Sequence, residues 1–271
     1  MTNPSSQASL GTAVVTGASS GIGAVYADRL ARLGHDLVLV ARNGERLQTL
    51  DERLRGETGR SVEILVADLG KGEDVARVEQ RIAAADVTTL INNAGMSLNN
   101  DTLDNSTSEI ETIIALNISA AGRLAIVAGK AFAARGKGAI VNIASILGVD
   151  YELYEGVYSG SKAFLLALSR NLAQRVRDKG VRVQAVLPGA TRTEIWERSG
   201  KDVDSFPAEW VMDVNDLVDA ALVGLDRGEE VTIPPLAEEE LWTAHEDARQ
   251  AMKGKLSRRE PALRYREAVA A

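Results

Sequence analysis

The chain has 271 residues, 45% of them apolar and 25% charged, a composition that excludes an intrinsically disordered protein and suits one or two globular domains. Its 31 basic and 38 acidic side chains leave a formal charge of −7, which offers no general attraction to nucleic-acid phosphates or anionic lipid. The absence of cysteine excludes disulfides, iron–sulfur ligation and thiol catalysis, and agrees with an expected cytoplasmic location. Residues 1–10, MTNPSSQASL, have no basic start and no apolar stretch, so they read as a polar lead-in rather than a secretory signal. No apolar run reaches the ~20 residues that span a bilayer, and no membrane partner is expected.

The first strand is expected at 12–16, followed by a glycine cluster and a helix over 24–33 closed by Gly34. A strand at 36–40, a helix at 45–54, a strand at 61–67 and a polar helix at 73–84 follow. A short strand at 89–92 leads to a long helical stretch over 106–130 that can contain a break. Next come a strand at 138–143, a helix at 157–179 and strands at 181–187 and 231–233. Strands that are apolar at nearly every position, alternating with amphipathic helices, point to a parallel sheet covered on both faces. The fold class is therefore α/β, a doubly wound Rossmann-type sheet of about seven strands. One domain spans 11–235. The charged segment 236–271 reads as a helical tail with an apolar stripe of Leu241, Ala244, Ala248 and Met252, an appendage or a subunit contact.

The run Thr16-Gly17-Ala18-Ser19-Ser20-Gly21-Ile22-Gly23 lies between the first strand and the first helix. It is either a tight strand–helix turn or a loop whose backbone approaches a pyrophosphate beneath a helix N-terminus. The end of the second strand should choose between dinucleotides. An acidic residue there suits NAD and a nearby arginine suits the extra phosphate of NADP. Here Val40-Ala41-Arg42-Asn43 offers a guanidinium and no carboxylate. Arg42 is either a solvated helix-cap residue or a phosphate partner, and NADP is the expected cofactor.

Tyr158 and Lys162 are four apart in a predicted helix and so share a face. A neighbouring ammonium favours a phenolate, which would let Tyr158 exchange a proton with a substrate oxygen near neutrality. Ser145 follows a strand, at the rim where open α/β sheets bind ligands, and could hold a carbonyl.

Taken together, the motifs resemble the short-chain dehydrogenase/reductase family over about residues 10–235. They are the glycine loop at 16–23, Asp68, Asn92-Asn93-Ala94-Gly95, Asn117, Ser145, Tyr158-Ser159-Gly160-Ser161-Lys162, and Pro188-Gly189 with Thr193. The resemblance implies that Gly17, Ser19, Ser20, Ile22 and Gly23 line the phosphates and that Arg42 occupies the position used by NADP-preferring members. Asp68 and Leu69 would contact the adenine. Asn93, Ala94 and Gly95 would lie along the adenosine ribose. Asn117 would hold a water that links Lys162 to solvent. Ser145 would orient the carbonyl and Tyr158 would be the general acid or base. Lys162 would bind the nicotinamide ribose and lower the Tyr158 pKa. Pro188, Gly189, Thr191 and Thr193 would fix the carboxamide. A mobile substrate lid would cover about 190–212. A homodimer or homotetramer built on the helices through Asn117 and Lys162 is implied as well. Extra apolar positions at Phe164, Leu165, Leu168, Leu172 and Val176 agree with such a contact.

The loop Asp150-Tyr151-Glu152 is more acidic than is usual in that family. Trp196, Phe206 and Trp210 could touch an apolar substrate or pack in the core, and Met96, Leu147, Leu153 and Tyr154 are weaker pocket candidates. His35 reads as a solvent-facing turn residue, His245 as a tail residue without a role, and Trp242 as a packing anchor. Two distant histidines make no metal site. The expected function is NADP-dependent hydride transfer between the nicotinamide and a ketone, aldehyde or secondary alcohol, with carbonyl reduction as the usual direction. The alternatives are a 3-oxoacyl thioester reductase, against which Glu152 and Glu155 argue, and a dinucleotide-sensing regulator that would not need Tyr158 and Lys162.

Overall fold

A strand buried on both faces needs apolar side chains at successive positions, and the first strand, TAVVT, buries all five of its residues. In the computed structural model, which describes residues 9–266 apart from Asn99, Ser199 and Lys201, seven strands form one sheet. They are β1 (Thr12–Thr16), β2 (Asp36–Ala41), β3 (Val62–Val66), β4 (Val87–Asn92), β5 (Gly138–Ile143), β6 (Val181–Val186) and β7 (Val231–Thr232). The spatial order is β3-β2-β1-β4-β5-β6-β7, and every neighbouring pair is parallel. The helices are α1 (Gly21–Leu33), α2 (Gly44–Thr58), α3 (Gly72–Ala83), α4 (Thr107–Ile113), α5 (Ala121–Arg135), α6 (Gly156–Val176), α7 (Ile195–Arg198), α8 (Val214–Arg227) and α9 (Glu239–Ala251). The lead-in at 1–10 lies outside the described residues except for its last two.

The core has two halves, one on each face of the sheet. Tyr26, Leu30, Leu47, Leu54 and Val218 from α1, α2 and α8 pack with Val15, Leu39 and Val141. Val78, Ile82, Leu124, Phe132 and Ala173 from α3, α5 and α6 pack with Val14, Val38 and Ile140. On the first face a buried carboxylate ties helices together. Asp28 of α1 accepts hydrogen bonds from Arg29, Arg32 and, on α2, Arg53, and Arg29 also reaches Asp219 of α8 at 2.7 Å.

Several boundaries differ from the sequence reading. β4 begins at Val87 rather than 89, because Val87 pairs with Thr12 across an irregularity in the β1–β4 register. α4 and α5 belong to one helix, Thr107–Arg135, in which the expected break is a π-helical stretch at Ile114–Ala120. This helix is 29 residues long, and an 18-residue window within it has a mean hydropathy of 1.6. By length and composition it could cross a bilayer, which corrects the expectation that no such segment exists. Half of that window is buried inside the fold, where α5 packs on α3 and α6. His35 is half-buried rather than solvent-facing, with Nδ1 3.1 Å from the Gly11 carbonyl oxygen. Burial depresses its pKa below the usual histidine value.

The chain divides into two compact units, Met1–Pro235 and Leu236–Ala271. In the second, α9 buries none of its residues. The apolar stripe is open, with Leu241 58% and Met252 46% exposed. Trp242 is half-buried and stacks on His245 at 5.2 Å.

Candidate active site

Strand order reverses between β1 and β4, and in open α/β sheets ligands bind beyond the carboxyl ends of the strands at such a point. Here the segments following β1, β2, β3 and β4 frame a cleft of about 1320 Å³. The loop after β1 is drawn tightly against the end of β4. Gly17 has φ +66°, and a Cβ there would stand 2.7 Å from Asn93 Nδ2. A Cβ at Gly23 would stand 2.3 Å from the Gly17 carbonyl oxygen. Neither position admits a side chain without moving backbone. Thr16 Oγ1 accepts from the backbone N–H groups of Asn93 and Ala94 at 2.9 and 3.0 Å, and Asn93 Nδ2 donates to the Thr16 carbonyl at 3.0 Å.

The N-terminus of α1 opens this cleft. It has no side-chain cap and no acidic residue in its first turn. By contrast α2, α4, α6 and α8 are capped by Asn43, Ser106, Glu155 and Asp213. Backbone N–H groups at a helix start carry partial positive charge and suit an anion. The glycine cradle and the uncapped helix fit the pyrophosphate of a dinucleotide.

Of the expected cofactor contacts, Gly17, Ser19, Ser20, Ile22, Arg42, Asp68, Leu69, Asn93, Ala94, Gly95 and Thr193 line the cleft. Gly23 sits behind the loop. Pro188, Gly189 and Thr191 are not on these walls. The Pro188 carbonyl accepts from Ile146 N at 3.0 Å, and the buried Thr191 donates its hydroxyl to the Gly189 carbonyl at 3.0 Å while its backbone bridges Met212. The cleft also takes residues the sequence reading missed. Gly21, Asn43 and Glu194 adjoin motif positions and were within reach of it. Ser108, Glu111 and Thr112 come from α4 and carry no local signal. Arg42 is exposed and forms no ion pair among the described residues. Arg46, one turn into α2, pairs with Glu194 at 2.5 Å.

Ser145, Tyr158 and Lys162 meet beside this cleft. Ser145 stands near enough to the Tyr158 hydroxyl to pull its pKa down, and its Oγ accepts from Leu147 N at 3.2 Å. Burial pushes the phenol up to about 12, against the downward pull of Ser145 and with a further upward push from Tyr154. The Lys162 ammonium donates to the Ile143 carbonyl at 2.9 Å and lies 5.5 Å from the centre of the Tyr158 ring. Burial brings it down to about 8. The amine stands over the ring of Tyr158, and burial is the largest influence on the phenol.

Asn117 lies in the π-helical stretch. Its Oδ1 accepts from Met96 N at 3.0 Å, and its Nδ2 donates to the Met96 carbonyl at 2.8 Å and to Ser161 Oγ at 3.1 Å. It thus ties the cleft wall to α6. Gly95 joins the two parts of the site, since a Cβ there would be 3.2 Å from Asn117 Oδ1 and 3.6 Å from Lys162 Nζ.

Around the catalytic group, Tyr154 meets Tyr158 edge-on with centroids 6.2 Å apart. Leu153 and Tyr151 are exposed. Trp196 donates to the Thr191 carbonyl at 2.7 Å and packs on Phe206 at 5.0 Å, while Trp210 is 59% exposed. Glu155 does not add to the acidity of the pocket, because it is buried as the cap of α6. That removes half of the charge argument against a thioester substrate and leaves Glu152, which is exposed. Among the described residues no group of three or more His, Asp or Glu side chains could hold a metal ion.

Comparison with known proteins agrees with this geometry. A family profile described as short chain dehydrogenase matches residues 11–204. A short-chain dehydrogenase from Sphingobium yanoikuyae, solved in complex with NADPH, is 49% identical with a TM-score of 0.92, covering 94% of this chain and 100% of its own. Such coverage requires part of the segment 236–271, so the tail has a counterpart there. The bulky-bulky ketone specific alcohol dehydrogenase of Comamonas testosteroni is 45% identical with a TM-score of 0.87, covering 94% of this chain and 98% of its own. Among curated sequences, 17-beta-hydroxysteroid dehydrogenase type 3 of Rattus norvegicus is 33% identical over 73% of this chain and 67% of its own length. Other curated relatives are matched over as little as 53% of their length.

Proposed function

This chain belongs to the short-chain dehydrogenase/reductase family, and we propose that it is an NADPH-dependent reductase of bulky, apolar ketones. The observation that carries the reading is the grouping of Tyr158 with the buried Ser145 and Lys162, Lys162 Nζ lying 5.5 Å from the Tyr158 ring centre, beside a glycine-walled cleft whose β2 end presents Arg42 and no carboxylate. Bound NADPH would supply the hydride. Gly17, Ser19, Ser20 and Ile22 would hold its pyrophosphate at the start of α1, and Arg42 its 2′-phosphate. Ser145 would hold the carbonyl oxygen. Tyr158 would give that oxygen its proton, and Lys162 would replace positive charge near the phenol as the proton leaves.

The direction we propose is reduction, supported by Arg42 at the end of β2, which suits NADPH. Bulky substrates are supported by the exposed apolar side chains Tyr151 and Leu153, in the loop that precedes α6, and by the ketone alcohol dehydrogenase among the similar structures. We place the enzyme in the cytoplasm as a homodimer or homotetramer joined through α5 and α6, a reading supported by the exposed Ile126 and Phe164 on those helices.

The test is NADPH oxidation with a panel of diaryl and aryl-alkyl ketones. Wild type is expected to turn over several, and Tyr158→Phe to lower kcat by ~10²–10⁴-fold with NADPH binding retained. A Tyr158→Phe variant as fast as wild type refutes the assignment. NADPH binding without turnover across the panel favours a sensor.

A further inference from the structure

We propose that Glu155 is a positioning residue for Tyr158, acting through the main chain of α6 with Thr102 and Asn105 as its buttress. The proposal rests on the reading of Tyr158 as the acid. Glu155 is only 4% exposed, and both of its oxygens are engaged. Oε1 accepts from Val157 N at 2.7 Å and from Asn105 Nδ2 at 2.8 Å. Oε2 accepts from the backbone N–H of Tyr158 itself at 2.6 Å. The N–H of Gly156 donates instead to Thr102 Oγ1 at 2.8 Å. The first three N–H groups of the catalytic helix, which have no partner within the helix, are thus all bound by side chains.

This cap differs from the others in the chain. Asn43 caps α2 through one backbone N–H and Asp213 caps α8 through one. Glu155 takes two, and one belongs to the residue that must reach substrate. Among the described residues no cation pairs with Glu155. Its charge is held by these donors and by the helix start alone, an arrangement that is stable only while all of them stay in place.

The buttress comes from a distant part of the chain. Thr102 opens a one-turn 3-10 helix, Thr102–Asp104, and Asn105 follows it. Two separate hydrogen bonds therefore dock this turn onto the start of α6. Tyr158 cannot shift along the helix axis without breaking the 2.6 Å contact. Its ring is met by the edge of Tyr154. The residue is thus held at the backbone and at the ring. Reaction rates respond steeply to such placement.

The experiment compares wild type with Glu155→Gln, Glu155→Asp, Asn105→Ala and Thr102→Val, reading kcat, KM for a ketone, the dissociation constant of NADPH and the melting temperature. Glu155→Gln keeps the shape but sets an amide against backbone donors. Its kcat is expected to fall ~10–100-fold, with the NADPH dissociation constant within about twofold of wild type. Glu155→Asp is expected to recover part of that loss, and Asn105→Ala and Thr102→Val, which keep Glu155 and carry the test should Glu155→Gln not fold, are expected to lose ~3–10-fold in kcat. Unchanged kcat in the folded variants overturns the proposal. So does a loss that appears equally in kcat and in NADPH binding, which is the mark of general unfolding. A wild type that binds NADPH and reduces nothing overturns the reductase reading itself.

Discussion

A half-buried phenol and a buried amine resist their charged forms in opposite senses. Tyr158 is pushed up to about 12 and Lys162 down to about 8, each chiefly by burial. In the proposed reaction the phenol would keep its proton until a developing oxyanion draws it off, and the amine would gain most from its charge when negative charge appears nearby. At the other end of the cleft, Arg42 stands exposed and, among the described residues, pairs with no carboxylate. A dianionic phosphate would find it ready, and the loss of such a charge-assisted contact is costly. Replacing it by Asp is expected to lower kcat/KM for NADPH by ~10–100-fold and to leave NADH turnover nearly unchanged. A coenzyme ratio identical to wild type in steady-state assays would remove the argument for NADP.

At the scale of elements, Asp28 joins α1 to α2 and, through Arg29, to α8. Burial alone would raise its carboxyl, but hydrogen bonds from Arg32, Arg53 and Arg29 outweigh that and hold it at about 2, below the ordinary 3.8. The folded state thus binds this proton less readily than the unfolded chain. Its contribution is fully present above pH 3.8 and fades as pH falls toward 2. With the guanidiniums half exposed, that contribution is on the order of 1–2 kcal/mol. Asp28→Asn is expected to lower the melting temperature at neutral pH by about 3–6 °C and to flatten the loss of stability with acid. Melts showing the same acid slope in both proteins would rule this out.

The legible elements were those whose signal is local. Doubly buried strands are continuous apolar runs, so the central strands are visible, while the edge strands β3 and β7 show as short β-branched runs, and the glycine loop and Ser145 follow such strands. The rest depended on direction or on partners distant in sequence. Glu155 looked like pocket acidity because a linear chain does not say which way a side chain turns. The available signal was an acidic residue three positions before Tyr158, at the start of a helix. The walls given by Ser108, Glu111 and Thr112 arise only when α4 folds over the cleft. The water-relay role given to Asn117 did not foresee that its amide binds Met96 and Ser161.

At the scale of the whole molecule, the sheet is a platform that gathers loops from distant stretches of chain at one edge. The opposite concern is surface. α5 and α6 leave Ile126 42% and Phe164 37% exposed, while Leu165 and Val176 are buried. Covering those exposed side chains with a second copy would remove apolar area from water. Light scattering is expected to report a dimer or tetramer, and Phe164→Glu to shift it toward the monomer. A monomeric wild type at micromolar concentration would exclude this assembly.

The widened turn at Ile114–Ala120 has a bearing on how this chain can vary. A π stretch holds one residue more than the regular spiral needs, and each residue advances an α-helix by about 100°. Excising one amino acid there would knit α4 and α5 into a uniform coil and swing Asn117 roughly a quarter turn away from Met96. The residue count between the capping box at Ser106 and the buried Phe132 is therefore metered. Length changes that an outer loop would absorb would here uncouple the cofactor wall from the catalytic helix.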